Sequence, residues 1–129
     1  MSDCYCDYDA PELYIKEIRT ARKQHRCYEC RGTILPGEKY EHVRGKWEGE
    51  MGSFKTCQHC VDLKTWTKNN VPCLCWAHGN IQDDCREAIE EARYRAPKET
   101  VGLMFGFIRR VVKRDRNNKQ RRDQAETAL

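Results

Sequence analysis

Nine cysteines stand in a chain of 129 residues, and eight of them fall into four close pairs: Cys4-x-Cys6, Cys27-x-x-Cys30, Cys57-x-x-Cys60 and Cys73-x-Cys75. With 39% hydrophobic and 34% charged residues, so short a chain lacks the apolar surface for a large core. Domains of this kind recover stability from disulfides or bound metal, and the pairing must serve one of the two. The first residues, MSDCYCDYDA, offer neither a basic flank nor an apolar run, so we expect a cytoplasmic protein with reduced thiols. No stretch reaches the length of a membrane span, and no membrane association is expected. Paired cysteines in a reducing compartment read as metal ligands.

The two C-x-x-C pairs define the first expected site: Cys27, Cys30, Cys57 and Cys60 around one structural zinc ion. A C-x-x-C turn presents two sulfurs on one side of a tight knuckle. Gly32, just after the first pair, suits a positive φ that turns N–H groups toward the sulfurs. The second pair opens VDLKTWTKN, a helical pattern anchored by Val61, Leu63 and Trp66, and a helix N-terminus stabilises thiolates. Knuckle, hairpin and ligands on a helix's first turn make a treble-clef-like arrangement. His59, between two ligands, should point away from the ion.

The C-x-C pairs define a second site with a different logic. In an extended segment residues i and i+2 share a face, so Cys4 with Cys6 and Cys73 with Cys75 can each present two sulfurs together. Pro72 keeps Val71 out of the helical region and favours that conformation. A local alternative set is Cys73, Cys75, His78 and Cys85. Two zinc ions per chain follow from the first assignment.

The fold expected is a small α+β zinc-stabilised domain. Residues 1–80 form the zinc-binding part, in which LYIKEIRTARKQHR is short enough for either helix or strand. Turn signals at Pro36-Gly37, Gly45, Gly49 and Gly52 mark hairpins between the C-x-x-C pairs. Residues 81–116 supply two helices, packed on the zinc body or on a partner. The first places Ile81, Cys85, Ile89 and Ala92 on one face, with Ala88 beside them, and ends before Pro97. The second runs from about Lys98 and is apolar almost all round at its start, with Gly102 and Gly106 allowing close approach of another backbone. Residues 117–129 show no apolar period and read as a flexible basic tail.

Charge is unevenly placed. Residues 98–129 carry nine Lys/Arg against four Asp/Glu, or +5, while residues 1–97 carry fifteen against sixteen, or −1. Eight thiolates and two zinc ions would add −8 and +4, taking that part from −1 to −5.

The segments CYCDYD, ARKQHRCYEC, the I-x-x-G-E-x-Y of Ile34, Gly37, Glu38 and Tyr40, GKWEGE, FKTCQHCVDL and PCLCWAHG, over about residues 1–80, have a familiar order. In them the chain resembles a group of small, functionally unassigned zinc-binding proteins encoded by phages and prophages of Gram-negative bacteria. The resemblance implies a part in phage–host interplay and no particular activity.

Three functions compete. A non-enzymatic binding module that captures a host protein, to inhibit or redirect it, would use Trp47, Phe54 and Trp76 or the apolar second helix, which can also pair two copies as a homodimer through the 98–116 helix. A nucleic-acid binder would use Arg109–Arg122, where eight Lys/Arg accompany one Asp. An HNH-type nuclease would need His42 as general base, yet the helix after Cys60 offers only Asp62, Asn69 and Asn70 as further ligands.

Overall fold

The computed structural model describes residues 4, 6, 8 and 10–127. LYIKEIRT resolves as a strand, β1 (Leu13–Thr20), and the chain continues through β2 (His25–Arg26), β3 (Thr33–Ile34), β4 (Lys39–Trp47) and β5 (Glu50–Cys57). Three helices follow: α1 (Gln58–Asn70), α2 (Ile81–Arg95) and α3 (Leu103–Thr127). The fold is thus a small α+β one, as the sequence suggests.

β1, β4 and β5 form one antiparallel sheet in that order, and β2 pairs with β3 in a separate two-stranded piece. The β4–β5 turn is Glu48-Gly49, with φ of 50° and 82°, the two positive angles of a two-residue turn matched to strand twist. Gly45 and Gly52, expected as turn signals, instead sit opposite each other inside the strands. The reason is space: a Cβ on Gly45 would lie 2.4 Å from the Trp47 ring.

The helices share one core, built from Leu63, Val71, Ile81, Cys85, Ile89, Ala92 and Phe107. The α2 stripe is buried as its periodicity predicts, and Val71 is extended ahead of Pro72. A second cluster gathers Ala21, Ile34 and Tyr40 around Cys27, Cys57 and Cys60.

The second helix departs from expectation at both ends. It begins at Leu103, because Gly102 takes φ 85° in the turn before it. It does not stop at Arg116: residues 117–127, expected as a flexible tail, continue the helix. The absent apolar period misleads there because the inner face of this part is polar and meets sulfur and charge, as described below. Of the two glycines expected to admit a second copy, Gly106 already faces this chain's own α1, where a Cβ would lie 2.6 Å from the Trp66 ring that Arg110 covers at 4.0 Å, while nothing stands within 4 Å of a Cβ on Gly102. Among the described residues no helix is long and apolar enough to cross a membrane.

Candidate metal centres

The fold gathers Cys27, Cys30, Cys57 and Cys60 into one cluster and Cys4, Cys6, Cys73 and Cys75 into another, the sulfurs of each within 4.8 Å of one another. Among the described residues no other group of three or more His, Cys, Asp or Glu side chains converges in this way.

In the first cluster the knuckle between β2 and β3 supplies Cys27 and Cys30, the end of β5 supplies Cys57, and the first turn of α1 supplies Cys60. The Cys27–Cys60 and Cys30–Cys57 sulfur separations are 3.9 and 3.7 Å. A tetrahedral ion with metal–sulfur bonds of about 2.3 Å requires edges of about 3.8 Å, so these residues fit a metal. The sulfurs also have the donors that thiolates need: Cys57 N–H donates to Cys27 at 3.2 Å and Gly32 N–H to Cys30 at 3.4 Å. Without an ion the four thiols compete for protons, two being pushed down and two up. Hydrogen bonding with Cys27, then with Cys57 and Cys60, holds the Cys30 thiol far below its ordinary value, while bonding with Cys27, Cys30 and Cys57 pushes Cys60 far up. A divalent cation removes that competition by replacing the protons.

Gly32 serves a different purpose from the one its position suggests. The positive φ falls on Arg31, at 62°, and not on Gly32. At Gly32 a Cβ would lie 2.3 Å from Asn118 Oδ1, so glycine is needed to admit α3.

That contact belongs to a set invisible to hydropathy. Arg114, 6% exposed, directs Nη1 to Cys60 Sγ at 3.8 Å and Nη2 to Gln82 Oε1 at 2.6 Å. Asn118 Nδ2 donates to Cys30 Sγ at 3.3 Å. Asn117 meets His59 Nε2 at 3.0 Å, so His59 does turn away from the sulfurs. Arg121 pairs with Glu38 at 2.6 Å. Arg114, Asn117, Asn118 and Arg121 recur at helical spacing, which is the signal that would have revealed them had the helix been extended past Arg116. Glu29, inside the knuckle, accepts from the backbone N–H groups of Gly79 and Ile81 and so ties the first cluster to the start of α2.

The second cluster is shallower. Cys4 and Cys6 are exposed and Cys73 and Cys75 half-buried. Its sulfurs are joined across the two segments as disulfides, Cys4 to Cys73 and Cys6 to Cys75, with Cα separations of 5.1 and 5.3 Å. Within one segment Cys73 and Cys75 sulfurs stand 3.7 Å apart, again a tetrahedral edge, so the same four residues can hold an ion in reduced form. Neither residue of the local alternative joins them. Cys85 is fully buried in the helical core, and His78 lies among aromatic rings with Nε2 3.2 Å from the Tyr14 hydroxyl.

His42 is buried and shares a hydrogen bond with Ser53 Oγ at 3.2 Å. Asp62 is bonded by Gln58, and Asn70 donates to the Trp66 carbonyl. Among the described residues His42 is in no group of three or more converging His, Cys, Asp or Glu side chains.

Neither a family model nor a solved structure matches the chain. Over 49 residues it is 41% identical to U18-lycotoxin-Ls1a of the spider Lycosa singoriensis, a stretch covering 38% of this chain and 64% of the toxin. The chain thus spans less than two thirds of that relative's length.

Proposed function

We propose that the chain is a non-enzymatic zinc-binding interaction protein of the phage-encoded kind, in which a treble-clef-like site holds one zinc ion at Cys27, Cys30, Cys57 and Cys60 and an exposed helix face captures a host protein in the cytoplasm. The observation that carries this reading is the outer face of α3. Phe107 on the inner side is 1% exposed, whereas Phe105 is 69% exposed, Ile108 and Val112 extend the bare stripe, and Val101, in the turn before the helix, is 84% exposed. Apolar side chains of this size are left in water on a small protein chiefly where something else covers them.

The nucleic-acid reading loses three of its eight basic residues to internal contacts, since Arg110 covers Trp66, Arg114 is buried on Cys60 and Arg121 pairs with Glu38. Arg109, Lys113, Arg116, Lys119 and Arg122 remain exposed beside the apolar stripe, where they can steer an acidic partner.

The test is a pull-down from host lysate with wild-type protein and Phe105→Asp, each with and without nuclease treatment. We expect Phe105→Asp to keep its metal content and helicity while losing the captured protein, and nuclease to leave wild-type capture unchanged. Capture abolished by nuclease, or insensitive to Phe105→Asp, would sink the proposal. If Phe105→Asp unfolds the chain, Val101→Asp probes the same face from the turn before α3.

A second reading concerns Cys4, Cys6, Cys73 and Cys75. Their joined pairs, and the likeness to a protein named as a toxin, support disulfides made in an oxidising compartment in place of a second zinc ion. Metal content and free thiols distinguish the two: two zinc ions per reduced chain in one case, one ion and five unbridged cysteines in the other.

A further inference from the structure

Cross-strand register sorts the residues of the β1-β4-β5 sheet onto two faces. Glu41 and Val43 lie on the inner one and are buried, with Lys64 of α1 reaching Glu41 at 3.5 Å. The outer face carries three rows, Leu13-Lys46-Met51, Ile15-Arg44-Ser53 and Glu17-His42-Lys55. On these rows Leu13, Ile15, Arg44, Met51 and Ser53 are exposed, whereas His42 is buried between its neighbours.

Charge on the outer face is one-sided. Its three rows hold Arg44, Lys46 and Lys55 against Glu17 alone, and Arg19 follows Glu17 on the same side of β1. The nearby acids are already engaged, Glu17 with Arg19 at 2.8 Å and Glu12, ahead of β1, with Lys46 at 3.7 Å. Among the described residues neither Arg44 nor Lys55 is in an ion pair. Their fields meet at His42, which shares a hydrogen bond with Ser53. Burial first, then Arg19, Lys55 and Arg44, hold the His42 pKa below the ordinary imidazole value, and Glu17 opposes them least.

Arg44 and Lys46 are two residues apart on the central strand, a step of about 7 Å, and Lys55 lies one strand across. Cations at a fixed step along an extended line suit an anion whose charge also repeats at a fixed step, as the phosphates of a nucleic-acid strand do. An acidic protein surface presents its carboxylates at irregular intervals. Leu13, Ile15 and Met51 beside the cations offer the sugars an apolar bed, while the three rows carry no Phe, Tyr or Trp on which a base could stack. We propose that the outer face of the sheet binds the sugar-phosphate backbone of a single nucleic-acid strand through Arg44 and Lys55, with Lys46 beside them, and does not read its sequence. The site uses none of the residues of the bare α3 stripe and goes beyond the capture of a protein there.

The experiment follows the fluorescence anisotropy of a dye-labelled oligothymidylate of about 12 nucleotides, titrated with the full chain at several salt concentrations. A mixed-sequence strand of the same length, its duplex and a polyglutamate of equal charge compete with it. The two single strands should bind alike, and the duplex and polyglutamate more weakly. Arg44→Glu with Lys55→Glu should weaken the strand by about tenfold or more, and each cation removed should lower the slope of log affinity against log salt by about 0.7. Because two charge reversals can disturb the sheet, Arg44→Gln, a neutral change at an exposed position, decides through the same slope if circular dichroism shows lost structure. Arg116→Glu with Lys119→Glu, and separately Phe105→Asp, should leave strand binding unchanged, so this site and the α3 reading stand or fall apart. No binding of either strand, polyglutamate or duplex binding as tightly as the single strands, or a strand affinity and salt slope indifferent to Arg44→Gln would each overturn the proposal. So would loss of strand binding from the α3 variants in place of the sheet variants.

Discussion

The two cysteine clusters are made of the same four-sulfur chemistry and are built in opposite ways. Cys27, Cys57 and Cys60 are buried, Cys30 is half-buried, and α3 lays Arg114 and Asn118 against their sulfurs. Cys4 and Cys6 are exposed, and their partners sit in an extended link. A buried set of thiolates must be neutralised where it stands, by an ion and by polar groups aimed at the sulfurs. An exposed set can exchange between metal and disulfide because water and solutes reach it. The first cluster is therefore a foundation of the fold, and the second is a fastening between residues 4–6 and the link before α2.

The largest expected effect separates the clusters by mutation. Cys60→Ser should lose the first ion together with most of the secondary structure, because structural zinc sites supply on the order of 10 kcal/mol of folding free energy. Cys4→Ser should lose at most one ion and keep the helical core. Elemental analysis and circular dichroism of the two variants check this, and equal loss of structure in both would erase the distinction.

A middle-sized effect sharpens it. Deleting residues 117–127 removes Asn118 from Cys30 and Arg121 from Glu38, and hydrogen bonds to charged groups are each worth about 1.5 to 3 kcal/mol. The truncated protein should melt lower and surrender the first ion to a chelator faster, while extraction from the second cluster stays unchanged. Unaltered chelation of the first ion would mean that α3 does not guard it.

The smallest effect tests the assignment of ligands. Cys85→Ser should keep every bound metal ion and lose about 1 to 3 kcal/mol for a hydroxyl placed in an apolar core. Loss of one ion from this variant would move Cys85 into the second cluster.

Much of this was legible in residue spacing. The C-x-x-C pairs specify the first cluster, the C-x-C pairs the second, and the Ile81, Cys85, Ile89, Ala92 stripe places α2. What stayed hidden has a common physical cause. Periodicity reports only faces that meet apolar neighbours, and residues 114–121 meet sulfur, carboxylate and imidazole. Gly45, Gly52 and Gly32 look like turn residues because single-sequence reasoning sees backbone freedom, whereas in the fold they clear space for Trp47, Phe54 and Asn118. Trp47, Phe54 and Trp76 were named together from the sequence, but that Tyr14 and His78 pack with them was hidden for a related reason: these rings come from β1, β4, β5 and the link, and only the sheet register and the link's path bring them together.

The arrival of α3 on the first cluster also orders events in time. Asn117 is made 58 residues after its partner His59. At 5 to 20 residues per second, the knuckle and the start of α1 exist for about 3 to 12 s before their cover does. During that interval the four sulfurs form an open cup that an ion can enter from solution. Once the last turns of α3 settle, leaving requires the helix to lift. In the finished protein entry and exit of the ion share one gate, the lifting of this helix end, whereas the nascent chain has no such gate until residues 117–121 are made.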